Sequence, residues 1–211
     1  LEKFVEGGWL TVVVTTSLVA LCFLIRGHYR LVGAKLQALF AELGDIPEVP
    51  GMVPRTLDPA RPTAALLVAR YGGLGIHTLL NIFRAFPGHF KNLVVVGVGV
   101  LGSGEFKGEG AVEDLKKQTE DSLQQYVALA QKLGVPATYR LAVGTDAVSE
   151  ATRLCLEVAK DFPNVTFFAG QIIFQRERWY QPLLHNETAF AIQKRLQWAG
   201  KTVAILPARV R

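Results

Sequence analysis

The chain has 211 residues, of which 50% are hydrophobic and 19% are charged, and its net charge is +5. This length suits one ordinary domain, or one domain with an appendage, and the apolar share is sufficient for a sizeable core. The basic residues are scattered among acidic ones and form no basic run, which argues against a nucleic-acid partner.

An uncharged stretch of 17 residues runs from Trp9 to Ile25, near the start of the chain. As a helix it would be about 26 Å long, close to the thickness of the hydrocarbon core of a bilayer. A His-Tyr pair follows it between Arg26 and Arg30, and the positive-inside rule then places the rest of the chain in the cytoplasm. We therefore expect a transmembrane helix within residues 1–30. A core helix is one alternative, and a signal peptide is a weaker one because the chain starts with acidic residues.

The predicted span is not uniformly apolar. It carries Thr15 and Ser17, which neighbouring helices would cover if the span belonged to a larger bundle. An amphipathic pattern then predicts a short helix over 31–43, lying either on the membrane surface or packed as a connector. Five prolines among the 16 residues of Pro47–Pro62 indicate a linker. Residues 31–62 are thus predicted to join the span to a separate domain.

From Thr63 onward, apolar strand patterns alternate with amphipathic helical patterns. Continuous apolar runs are typical of strands buried on both faces of a parallel sheet. The predicted strands cover 63–69, 92–100, 137–143, 165–174 and 202–206, and the predicted helices cover 76–86, 112–133, 146–160 and 186–199. This βαβαβαβαβ order predicts an α/β fold: a three-layer, doubly wound, mainly parallel five-stranded sheet within a domain over residues 63–211.

Two glycine-rich stretches follow predicted strands, at the edge where doubly wound sheets bind ligands. The first, ARYGGLGIHTLL, opens a helix whose N terminus could receive a phosphate, although its spacing matches neither G-x-G-x-x-G nor a P-loop. The second is GVGVLGSGEFKG. A ligand bound here would contact backbone N–H groups, helped by one arginine and one serine. The candidate ligand-binding residues are Arg70, Gly72, Gly73, Gly75 and Ser103, and ordinary βα turns are the alternative.

The remaining polar residues assemble no catalytic or metal-binding motif. The four histidines are dispersed, and there is no G-x-S-x-G elbow. Cys22 and Cys155 form neither a CxxC motif nor a disulfide framework, which indicates a reducing compartment. No acidic residue ends the second strand, where a Rossmann dehydrogenase would bind ribose. We therefore expect no enzyme, no catalytic residue and no metal site. A Rossmann-like enzyme is the least supported alternative.

Four segments together resemble, in the same order, the C-terminal part of a bacterial group in the amino acid–polyamine–organocation (APC) superfamily. They are EGGWLTVVV…LIRGHYR, GGLGIHTLLNIFRAFPGHFKN, VGVGVLGSGEFKG and LLHNETAFAIQKRLQWAGKTVAILP. This group is often labelled amino acid permease and includes the KimA-type potassium–proton symporters. The resemblance implies the last transmembrane helix of a permease, followed by a cytosolic domain similar in fold to universal stress proteins, with strand order 3-2-1-4-5.

The same resemblance implies a domain that regulates or dimerises a transporter in the inner or plasma membrane. Its partners would be the rest of the membrane bundle, the lipid bilayer and a second copy. KimA-type members respond to cyclic di-AMP, so that molecule or another adenine nucleotide is the implied ligand. Nucleotide-binding universal stress proteins carry an Asp after the first strand and a G-x-x-G-x9-G-S/T motif after the fourth. This chain has Ala69-Arg70 and QIIFQRERWYQPLLHN there, which argues against ATP binding of that kind. The alternative function is a membrane-tethered nucleotide-binding sensor.

Overall fold

The structure, a computed structural model, describes residues 9–42, 56–102, 109–174 and 187–210. In these ranges, the first helix is followed by five strands that alternate with four further helices. In chain order the elements are α1 (Trp9–Glu42), β1 (Thr63–Val68), α2 (Gly73–Ala85), β2 (Asn92–Val100), α3 (Glu109–Lys132), β3 (Ala137–Gly144), α4 (Ala147–Asp161), β4 (Val165–Phe174), α5 (Glu187–Trp198) and β5 (Val203–Val210).

The five strands form one sheet in the order β3-β2-β1-β4-β5, and each of the four pairings is parallel. The chain winds from β1 towards β3, crosses back to β4 and then adds β5 on the other side. Right-handed crossovers therefore place α2 and α3 on one face of the sheet and α4 and α5 on the other. The predicted three-layer α/β fold and its strand order are confirmed.

A separate apolar core lies on each face of the sheet. Successive side chains of a strand point to opposite faces, so the adjacent Phe167 and Phe168 of β4 are both fully buried, but in different cores. The Phe168 core includes Leu79 of α2 and Leu123 of α3, and the Phe167 core includes Leu154 of α4. Apolar burial on both faces is what requires helices on both sides of the sheet.

Two elements differ from the sequence prediction. The helix predicted over 31–43 is the second part of α1, which runs unbroken for 34 residues with no proline to interrupt it. Strand β5 extends past Leu206 through Pro207, and an edge strand accepts a proline because one side of it has no partner for a backbone N–H.

Glycines with positive φ end two of the helices. Gly134 follows α3 with a φ of 75°, and Gly200 follows α5 with a φ of 70°. After Gly134, the N–H of Val135 donates to the carbonyl of Ala130, which closes the last turn of α3. Positive φ costs little for glycine, so these positions turn the chain back towards the sheet. Asn186, the first residue of the last predicted helix, lies outside the described residues.

The chain enters the sheet at the edge formed by the N-terminal ends of the strands, which we call the amino edge. The buried side-chain amide of Asn92, at the start of β2, donates to the carbonyl of Asp58 at 2.7 Å and to the hydroxyl of Thr63 at 3.0 Å. Its oxygen accepts the N–H of Asp58 at 3.2 Å. Asn164, before β4, donates to the carbonyl of Ala60 at 2.8 Å. Residues 58–62 are therefore fixed to this edge.

The first part of α1 stands apart from the two cores. Its stretch Trp9–Gly27 has a mean hydropathy of 2.0 and is long and apolar enough to span a membrane, and none of it is buried. Phe23 and Leu24 are 66% and 71% exposed.

Candidate ligand site at the glycine loop

The glycine loop, residues 70–75, follows β1 at the carboxyl edge of the sheet, where the strand order reverses. Strand β1 ends at Val68, opposite Gly97 of β2, while β2 continues to Val100 and β4 to Phe174. In open α/β sheets this switch point is the usual ligand position. The loop is therefore placed where the sequence analysis expected it.

A tyrosine from α3 occupies the inside of the glycine loop. The N–H of Gly72 donates to the hydroxyl oxygen of Tyr126 at 3.2 Å. The same hydroxyl lies 3.1 Å from the carbonyl oxygen of Arg70 and 3.3 Å from that of Gly72, so its single proton serves one of the two acceptors. The Tyr126 side chain is fully buried, and the ring of Tyr71 packs against it with a centroid distance of 4.8 Å.

The glycines of this loop have different structural roles. A Cβ at Gly75 would overlap the hydroxyl and ring of Tyr126, so a side chain there is incompatible with the observed packing. A Cβ at Gly72 would meet no described atom within 4 Å, and the extended φ of 174° at Gly72 suits any residue. Gly73 is buried as the first residue of α2. Gly75 is thus explained by close packing, whereas Gly72 is not.

The electrostatic setting keeps the Tyr126 hydroxyl neutral. Burial raises the pKa of Tyr126 well above its usual range, the Tyr71 phenol raises it further, and the hydrogen bond from Gly72 lowers it. Burial also raises the pKa of Tyr71, against a lowering by the positive charge of Lys132. A neutral hydroxyl both accepts from and donates to the loop backbone, which is what the contacts with Gly72 and Arg70 require.

The other glycines at this edge bring helices close to the sheet. A Cβ at Gly97 would lie 2.7 Å from Cδ2 of Leu123 in α3, and one at Gly170 would lie 2.9 Å from Cδ1 of Leu74 in α2. Gly99 meets α3 side chains in the same way. These distances are shorter than real Cβ contacts, so a side chain here would force the facing side chains to move. The glycine-rich end of β2 is therefore explained by packing.

The structure places four of the five predicted site residues in one loop. Arg70, Gly72, Gly73 and Gly75 are consecutive or nearly so, and the Arg70 side chain is exposed. Ser103 lies outside the described residues. Ligand binding at this loop stays a prediction.

Sequence reasoning missed Tyr126 as the partner of the loop and counted it only as one more apolar position of α3. The signal available was a tyrosine on the buried face of a helix, since a buried phenol needs a hydrogen-bond partner.

Other titratable groups lie away from the glycine loop or have structural partners. His77 lies 3.0 Å from the side-chain nitrogen of Asn81, and burial, helped by the charge of Arg84, lowers its pKa. Cys155 is buried between the sheet and α4, and burial raises its pKa to about 12. In the described part of the chain, no three His, Cys, Asp or Glu side chains come together as a metal site would require.

No protein-family model matches the chain, and no curated protein matches it significantly. Among solved structures, it is similar to the universal stress protein from Archaeoglobus fulgidus, with 14% sequence identity and a TM-score of 0.47. The match covers 69% of this chain and 93% of that chain, and at this identity it concerns the fold alone. The observed strand order is the one expected for a universal-stress-protein-like domain. The described chain comprises one apolar helix followed by an α/β domain with a five-stranded parallel sheet.

Proposed function

We propose that this chain is the last transmembrane helix and the cytosolic regulatory domain of a bacterial permease of the APC superfamily, which transports an amino acid or potassium. The observation that carries the proposal is the apolar stretch Trp9–Gly27 of α1, none of which is buried. An apolar helix surface of this size needs lipid or other helices around it. The motifs that resemble APC permeases indicate the kind of membrane protein in which such a helix would occur.

The charges after the apolar stretch support a cytosolic domain. Arg26 and Arg30 follow it directly on α1, and both are exposed. Basic residues next to a span favour the cytoplasmic side of the membrane. The proposal therefore locates the chain in the inner or plasma membrane, with residues 63–211 in the cytoplasm.

The contacts of the domain support a regulatory and dimerising role over a catalytic one. The Gly72 N–H, a donor that a bound phosphate would use, already has Tyr126 as its partner. The hydrogen bonds between Asn92 and Asp58, which we call the Asn92 clamp, fix residues 58–62 to the sheet. A movement of the domain would therefore also move the segment that connects it to α1. Strands β3 and β5 form the two ends of the sheet, where a second copy could bind. We expect a homodimer, which mass photometry of the detergent-solubilised protein would detect.

The regulatory ligand is proposed separately from the transporter role. Calorimetric titration of the solubilised chain with cyclic di-AMP, ATP and NAD tests it directly. Micromolar binding of cyclic di-AMP or ATP would support a ligand-gated domain. No heat with any of the three would leave dimerisation and attachment to the bundle as the domain's role.

Membrane topology tests the proposed function. In membranes from cells that express the full gene product, we expect α1 to resist carbonate extraction. Protease should remove the domain from inside-out vesicles but not from right-side-out vesicles. Leu18→Lys, in the middle of the apolar stretch, should weaken insertion because a charge at the bilayer centre is costly, whereas Lys116→Leu on α3 is the control and should not. Release of the wild-type chain by carbonate would contradict the proposal, as would a reading frame with no further hydrophobic helices upstream of Leu1.

A further inference from the structure

We propose that the amino edge of the sheet docks on the anionic surface of the same bilayer in which α1 is inserted. This inference rests on the proposed insertion of α1 and adds a second membrane contact, made by the folded domain itself. Three observations carry it: the route of the chain, the exposed aromatic side chains of this edge, and its unpaired lysines.

The route of the chain brings the amino edge towards the membrane. Residues 58–62 are fixed to this edge by Asn92 and Asn164, so the domain is tethered through the side on which its strands begin. Thirteen residues separate Glu42, the last residue of α1, from Thr56. Thirteen residues span at most about 45 Å when extended, so the edge is within reach of the bilayer surface.

Two exposed aromatic side chains lie at the same edge. Each helix of the domain runs back from the carboxyl edge to the amino edge, so the C-terminal ends of the helices lie there. Trp198, the last residue of α5, is 86% exposed, and Phe86, directly after α2, is 40% exposed. The two lie on opposite faces of the sheet, because α5 and α2 do. Tryptophan at a protein surface next to a bilayer is typical of the interfacial belt.

The amino edge also carries an excess of unpaired positive charge. Among the residues that the structure describes, the acidic groups at this edge are Asp58 and Asp161, and each is paired with an arginine, at 3.1 and 2.9 Å. The side chains of Lys91, Lys160 and Lys201 form no ion pair with any residue that the structure describes. Lys160 complements the C-terminal end of α4, but Lys91 and Lys201 lie beyond the helices. These charges would attract a surface of anionic lipid.

The composition of the edge favours lipid over a second copy of the chain. Protein interfaces are depleted in lysine at their centre, whereas lysines beside tryptophan are characteristic of membrane-surface binding. The lysines at the amino edge flank the exposed aromatics along the chain, since Lys201 is three residues after Trp198 and Lys91 five residues after Phe86. An anionic lipid surface satisfies both kinds of side chain at once.

Tryptophan fluorescence in reconstituted vesicles tests the inference. The chain has three tryptophans, so two double variants leave one each: Trp9→Phe with Trp179→Phe leaves Trp198, and Trp179→Phe with Trp198→Phe leaves Trp9. Each full-length variant is reconstituted into phosphatidylcholine vesicles with and without phosphatidylglycerol, using brominated acyl chains as the quencher. We expect about twofold quenching of Trp198 in the anionic vesicles and little in the neutral ones. Trp9 should be quenched in both.

Matched charge variants identify the surface. Lys91→Gln with Lys201→Gln should abolish the lipid-dependent quenching of Trp198, whereas Lys116→Gln with Lys117→Gln, on α3, removes the same charge and should not. Absence of Trp198 quenching in anionic vesicles, with Trp9 quenched, would overturn the docking proposal alone. A blue shift of Trp198 without quenching by brominated lipid would also overturn it, because it would indicate a protein contact. Absence of Trp9 quenching would contradict the insertion of α1, and hence the proposed function.

Discussion

The hydroxyl of Tyr126 and the backbone N–H of Gly72 form a hydrogen bond of 3.2 Å between residues 54 positions apart in the chain. This bond ties α3 to the loop that follows β1, across the face of the sheet that carries α2 and α3. It also uses a donor that a phosphate at this loop would need. The glycine loop is thus a packed structural junction in the described conformation.

The Tyr126 hydroxyl should contribute measurably to stability. Tyr126→Phe keeps the ring but leaves the Gly72 N–H without its partner inside the protein. We expect a loss of about 1–3 kcal/mol in the free energy of unfolding, because the buried hydroxyl is lost and the half-buried N–H of Gly72 loses its partner. Urea denaturation of the detergent-solubilised chain, followed by near-ultraviolet circular dichroism, measures it. Tyr139→Phe, on the edge strand β3, is the control: it removes a hydrogen bond to the half-buried carboxylate of Glu120, which water can replace, and it should cost less. Equal losses for the two variants would argue against a special role for Tyr126.

Replacement of Gly75 by alanine should destabilise the protein, against the usual trend in helices. Glycine to alanine in a helix normally stabilises by up to about 1 kcal/mol. At Gly75 the added Cβ overlaps Tyr126, and overpacking of this kind costs about 1–3 kcal/mol. Gly110→Ala in α3 is the matched control, since a Cβ there meets no described atom within 4 Å. Thermal unfolding of both variants compares them, and a rise in melting temperature for Gly75→Ala would show that the described packing is wrong.

The sequence predicted the sheet well because its strands are buried on both faces. A continuous apolar run such as Asn92–Val100 places apolar side chains on both faces of a strand, which predicts burial on both. The observed strand has those bounds. Long-range contacts were not predictable in the same way. Nothing local in the sequence links Tyr126 to Gly75 or Asn92 to Asp58, because such pairs are set by the assembled topology. The length of α1 was missed for a local reason, since a change in hydrophobic pattern does not break a helix.

Asn92 should hold the entering chain to the amino edge. Asn92→Ala removes two donors and one acceptor from a buried site, and we expect a loss of about 2 kcal/mol in the free energy of unfolding. Residues 58–62 should also become more sensitive to limited proteolysis. Asn164→Ala is the control, because Asn164 is exposed and makes a single bond to Ala60, and its effect should be smaller. If residues 58–62 were cleaved at the same rate in Asn92→Ala as in the wild type, Asn92 would not hold this segment to the sheet.

Cys155 should be unreactive in the folded protein and should make its stability sensitive to alkali. Burial raises its pKa to about 12, so the folded protein keeps the proton that the unfolded chain releases above about pH 9. The free energy of unfolding is therefore unaffected below pH 8 and falls as the pH rises from about 9 towards 12. Cys155→Ala should remove the contribution of this thiol to the fall. Between about pH 9 and 12 that contribution approaches a slope of about 1.4 kcal/mol per pH unit.

Thiol labelling checks the same site. In a Cys22→Ser background, a thiol reagent at pH 8 should label Cys155 only after denaturation. Rapid labelling of the folded protein would mean that Cys155 is not enclosed between α4 and the sheet.

The central claim is that the α/β domain regulates a transporter, and solute uptake tests it most directly. The measurement is the uptake of potassium and of amino acids into vesicles that contain the full gene product of which this chain is part, either intact or ending after Glu42. The account predicts uptake of one of these solutes by both forms, at a rate that changes when the domain is removed. Uptake at the same rate in both forms, or no uptake of either solute by the intact protein, would contradict it.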